Sequence, residues 1–170
     1  MSIYKLPYFG EIDISSLKED YRTKVKIGQR EIRLDINFEE KNTDKNTIEI
    51  IKNFLEQVEQ FDKDCVKYYT QDFYDKGEAD DHIEFYMEEC FDEELAQMID
   101  IKQSRENQKL QLLNKMELLR VGLYPNQKNE IGYYGVFDYS IKMADGEYCN
   151  QLLVVKTKER GELDHVTWES

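Results

Sequence analysis

Apolar and polar positions alternate strictly in the first third of the chain. In "YRTKVKIGQREIRLDINFE", Tyr21, Thr23, Val25 and Ile27 share one face, and Arg22, Lys24 and Lys26 share the other. Ile32, Leu34, Ile36 and Phe38 then alternate with polar neighbours. A period of two predicts strands with one side on a core and the other in water. Gly28 between the runs supplies the permissive backbone of a hairpin turn. Upstream, "YFGEIDI" reads as a shorter strand carrying Ile12 and Ile14.

The period lengthens in the middle third. Ile48, Ile51, Leu55, Val58, Cys65 and Tyr69 recur at three- and four-residue spacings, the stripe of one long amphipathic helix over residues 46–75. Asn46 or Thr47 is the expected cap, and Gly77 interrupts the pattern. A second helix is predicted over residues 80–99, burying Ile83, Tyr86 or Met87, Cys90, Phe91, Leu95 and Met98. A third is predicted over residues 106–121 from Leu110, Leu113, Met116 and Leu119 or Arg120, with Gly122 and Pro125 ending it.

Strand character then returns. In "IGYYGVFDYSIKMADGEYCNQLLVVKTKE", Tyr133, Phe137, Tyr139 and Ile141 are roughly in phase, and Asp145-Gly146 is a hairpin signal. "NQLLVVKT" suits a sheet interior, and "DHVTWES" adds a terminal strand through Val166 and Trp168. Strands, helices and strands again predict a single α+β domain over residues 1–170. Its expected architecture is an antiparallel sheet of five or six strands from both chain ends, with about three helices on one face.

Composition narrows the function classes. At 40% hydrophobic and 12% aromatic residues, the chain can bury a real core. Its net charge of −13 argues against general nucleic-acid binding and against an anionic membrane surface. No secretory signal opens the sequence and no apolar run of about 18 residues occurs, so a cytoplasmic location is expected. Cys65, Cys90 and Cys149 are odd in number, widely spaced and without a CxxC pair, as expected of reduced thiols.

The charge is concentrated. Residues 72–94 hold eleven carboxylates against Lys76 alone, a net −10 of the chain's −13. No EF-hand order is present. Glu78 with His82, and Asp81 or Glu84 with Glu88, fall one helical turn apart. The chain has only two histidines, however, and His82 is expected to be solvated, so no metal and no cofactor are assigned. Carboxylates crowded on a wet helix face lack the dry pocket that general acid chemistry needs. The serines lack a nucleophile elbow, and "GYYG" is not a phosphate loop, so no catalytic residue is assigned.

Docking of a cationic surface remains. Like charges a turn apart cost a few tenths of a kcal/mol each, a penalty tolerated where a basic partner is met. The expected contact residues are Asp80, Asp81, Glu84, Glu88, Asp92 and Glu93, with Tyr74, Phe85 and Tyr86 as candidate aromatic anchors. A competing reading is a small-ligand or enzymatic site between sheet and helices, lined by Tyr133, Tyr134, Tyr139 and Trp168. A third is self-association through "NQLLVVKT".

"KLPYFGEIDISSL", followed by a hairpin ending "IRLDINFE", resembles the start of a family of uncharacterised bacterial proteins over roughly residues 6–39. The "YGVFDYSI" strand agrees loosely in order. That family implies no activity, so no functional residue is carried over from it. By charge and size the chain also resembles immunity proteins, which neutralise basic toxin nucleases by presenting carboxylates. A composition heavy in Lys, Asn, Ile, Glu and Tyr is compatible with a bacterial cytoplasmic protein.

Overall fold

The computed structural model describes residues 2–125 and 132–170. Its architecture is α+β, built around a six-stranded sheet whose strands come from both ends of the chain. The predicted first hairpin is β3 (Asp20–Ile27) and β4 (Arg30–Asn37), in register from Asp20–Asn37 to Ile27–Arg30. Gly28 turns it at a φ of +64°, which a side chain rarely adopts. The upstream segment is two strands rather than one. β1 (Ile3–Leu6) and β2 (Gly10–Asp13) pair as a separate hairpin whose Leu6 and Ile12 enter the core.

The helical third has five helices among the described residues, where three are expected from periodicity. α1 (Lys45–Glu56) starts at Asp44, whose carboxylate accepts from the Thr47 amide at 2.7 Å, so the cap lies two residues before Asn46. Gln57 ends it, and α2 (Val58–Tyr74) continues the stripe. α3 (Glu78–Glu89) and α4 (Asp92–Met98) replace the second expected helix, and α5 (Arg105–Leu113) replaces the first half of the third.

The second half of that third helix is a strand. β5 (Met116–Leu123) buries Met116, Leu118, Val121 and Leu123. A bulge between Leu118 and Arg120 shifts the phase, so inward residues follow each other by two, three and two positions. The bulge lends a strand the spacing of a helix.

β6 (Gly135–Ile141), β7 (Leu152–Thr157) and β8 (Leu163–Glu169) complete the order β3-β4-β5-β6-β7-β8. The sheet is mixed rather than wholly antiparallel. β5 returns beside β4 after the helices and pairs with it in parallel. The turn at Asp145-Gly146 is present, closed by the Met143 amide on the Glu147 carbonyl at 2.8 Å. β7 lies between β6 and β8, so both its edges are taken and "NQLLVVKT" has no free edge to offer a twin.

Helices α1, α2 and α3 cover one side of the sheet. Phe54 meets Phe137, Tyr69 meets Tyr139, and His82 meets Trp168, with ring centroids 6.1, 5.1 and 5.5 Å apart. One hydrophobic core runs from Leu6 to Val166. The opposite side of the sheet carries the polar members of each alternation, among them Arg33, Asp35, Arg120 and Asp138. No helix among the described residues is long and apolar enough to cross a membrane.

Candidate functional site: an acidic ridge on two short helices

α3 buries Ile83 and Tyr86 as expected, and also Ala79 and His82, the latter fully enclosed instead of solvated. One flank of the helix turns toward α5. There Lys109 Nζ lies 2.5 Å from Asp80 Oδ1 and 2.7 Å from Glu84 Oε1, and Arg105 Nη2 lies 2.5 Å from Glu84 Oε2. Bonding to Lys109 and then Arg105 holds the Glu84 carboxyl below its ordinary range, against some burial. Burial works against the charge on Lys109, yet its bonds to Asp80 and Glu84 hold its pKa above the usual lysine value. Asp80 and Glu84 therefore belong to an internal ion cluster. Two of the six expected contact residues are neutralised by the chain's own cations.

The other four are exposed. Asp81 and Glu88 sit on the outward stripe of α3, two turns apart, and Asp92 and Glu93 open α4. None of the four makes an ion pair with a described residue. The chain breaks between the helices because Cys90 and Phe91 both adopt extended backbone, and the Phe91 carbonyl accepts from the Glu94 and Leu95 amides at 3.0 Å. Electrostatics favours that break. In one continuous helix, residues 92–94 would lie toward the negative C-terminal end. Restarting at Asp92 places Asp92, Glu93 and Glu94 in a first turn, where the dipole favours carboxylates.

The break also turns Phe91 outward. Its side chain is 79% exposed, whereas the apolar periodicity places it in the core. It is flanked in sequence by Glu88, Glu89, Asp92, Glu93 and Glu94. Of the expected anchors, Tyr86 is buried and Phe85 is half-buried against Trp168 at 5.5 Å, while Tyr74 is exposed. The sequence signal that could locate Phe91 is the acid run on both sides of it. A buried helix stripe rarely carries carboxylates at i+1, i±2 and i±3 together.

The four residues expected to line a pocket between sheet and helices are dispersed. Tyr139 is in the core against Tyr69 and donates to Asp62 Oδ1 at 2.6 Å, and Tyr134 packs on Phe54. Trp168 stacks near His82, and Tyr133 faces Lys156 Nζ, 4.6 Å from its ring centroid. Among the described residues, no group of three or more His, Cys, Asp or Glu is placed to hold a metal ion. All three cysteines are free, and burial with the nearby Glu94 carboxylate pushes the Cys90 thiol up to about 11, away from reactivity.

Comparison of the chain with protein-family models, with curated proteins and with solved structures gave no match.

Proposed function

We propose that this chain is a non-enzymatic binding module that docks a basic protein partner on the α3–α4 ridge, in the manner of immunity proteins. The observation that supports it most is the exposed phenyl ring of Phe91 within a run of carboxylates. A solvated acidic face needs no such ring, whereas an interface uses an aromatic anchor for desolvation and a charged rim for steering. Asp81, Glu88, Asp92 and Glu93 form the rim. Asp80 and Glu84 hold α3 on α5 and so position the rim without contributing free charge.

The test is capture of partners by the immobilised chain from extracts of the native host. Glu88→Lys, Asp92→Lys and Glu93→Lys together are expected to weaken capture at least about tenfold at low salt. Phe91→Ala is expected to weaken it similarly at any salt. A basic protein captured equally by wild type and both variants contradicts the reading.

A further inference from the structure

The uncovered side of the sheet gathers cations among its carboxylates. On adjacent strands Lys24 is directly opposite Arg33, and Arg33 directly opposite Arg120. Paired residues on neighbouring strands lie about 5 Å apart, and like charges in that relation destabilise a sheet. The antiparallel Lys24–Arg33 pair bears this cost, in a chain whose net charge is −13. Together with Arg22, Asp35 and Asn37 these cations line a trough of about 620 Å³, the size range of small-molecule sites.

Arg120 is built in rather than draped. Its Nε and Nη2 donate to the two oxygens of Asp35 at 2.7 and 2.8 Å, Nη1 donates to Asp138 at 3.2 Å, and Nη2 also donates to the Tyr124 hydroxyl at 2.8 Å. The guanidinium lies over Gly122, where a methyl group would collide with it. Asp35 is thereby occupied, and it also accepts from Asn37 Nδ2 at 2.6 Å. The other cations are available. Arg33 is exposed and makes no ion pair with a described residue, and Lys24 meets Glu31 only at 3.8 Å. Arg22 pairs with Asp20 at 2.6 Å, and both side chains are exposed enough for such a bond to be weak and exchangeable.

We propose that this trough binds a small polyphosphate-class anion, with Arg33 and Lys24 as its direct ligands and Arg120, held by Asp35 and Asp138, as its rigid wall. No aromatic side chain among the described residues lines the trough, so the recognition is of the charged oxygens rather than of a ring. The site is separate from the acidic ridge and does not depend on it.

Calorimetric titration of inorganic pyrophosphate into the full chain at low salt tests this. Wild type is expected to bind it, and Arg33→Ala, which removes an exposed side chain, is expected to bind about tenfold more weakly or worse. Lys102→Ala, an exposed lysine distant in sequence from the trough strands, is the control and is expected to match wild type. Absence of binding by folded wild type overturns the proposal. So does an Arg33→Ala affinity equal to that of Lys102→Ala.

Discussion

His82 lies between Tyr86 and Trp168, with ring centroids 4.9 and 5.5 Å away. Its Nε2 lies 3.3 Å from the Gln151 carbonyl oxygen, and its Nδ1 is buried without a hydrogen-bond partner among the described residues. Burial pushes its pKa down from 6.5 to about 4, with the Gln151 contact opposing weakly. In an unfolded chain the ring takes its proton near 6.5, before the folded ring does. Stability is therefore full above about 6.5, is lost as pH falls from there toward 4, and levels off below. The loss is at most roughly 3 kcal/mol. Urea midpoints across that range are expected to fall for wild type, and the His82→Phe variant is expected to lack this component. A His82→Phe profile parallel to wild type would remove the ring from the account. The same scale separates Phe91 from Leu95. Phe91→Ala is expected to change stability by no more than about 0.5 kcal/mol, since little of the ring is covered. Leu95→Ala, deleting a buried side chain, is expected to destabilise by about 2–5 kcal/mol in the same unfolding measurement.

Among the elements, α3 and α5 are joined by Lys109, whose side chain is 5% exposed and faces Asp80 at 12%. Removing the cation leaves the buried Asp80 carboxylate facing, among the described residues, only the exposed Lys76, at 3.9 Å. Lys109→Met is expected to lower stability by about 3 kcal/mol, and Lys109→Met with Asp80→Leu is expected to recover much of that loss. Chemical denaturation of the two variants checks it. A double variant no better than the single would show that packing, rather than charge, sets the loss. Elements were unevenly legible in the sequence. The β3–β4 hairpin could be read because Ile32, Leu34 and Ile36 alternate without interruption, and "DHVTWES" because Val166 and Trp168 do the same. β5 was hidden because the bulge at Leu118 and Arg120 substitutes a step of three for one of two. Its parallel pairing with β4 is not readable either, because the partner lies 87 positions away (Arg33 to Arg120) and no local pattern encodes the choice. The break at Cys90–Phe91 is masked by an apolar spacing that fits a helix, while the acids that favour it read equally well as a solvated helix face.

For the whole molecule, composition located the excess of negative charge correctly but could not show how it is shared. Asp80 and Glu84 meet Lys109 and Arg105 from a helix more than twenty residues away, so the exposed acids left on α3 and α4 are Asp81 and, nearer Phe91 in sequence, Glu88, Asp92 and Glu93. The cations Lys24, Arg33 and Arg120 come from three strands whose adjacency only the fold creates. The edge strand β3 also carries Arg22, Lys24 and Lys26, and lysines on an edge discourage pairing with another sheet. The helical ridge is thus acidic, whereas the open side of the sheet mixes Arg22, Lys24, Arg33 and Arg120 with Asp20, Glu31, Asp35 and Asp138.

Association and dissociation rates between this chain and any basic protein recovered by the capture experiment test the proposed ridge most directly. Rim charge acts mainly on encounter and a desolvated anchor mainly on residence. Reversal of Glu88, Asp92 and Glu93 is expected to slow association and flatten its salt dependence, while Phe91→Ala is expected to speed dissociation with association little changed. Rates for both variants indistinguishable from wild type would contradict docking through the ridge.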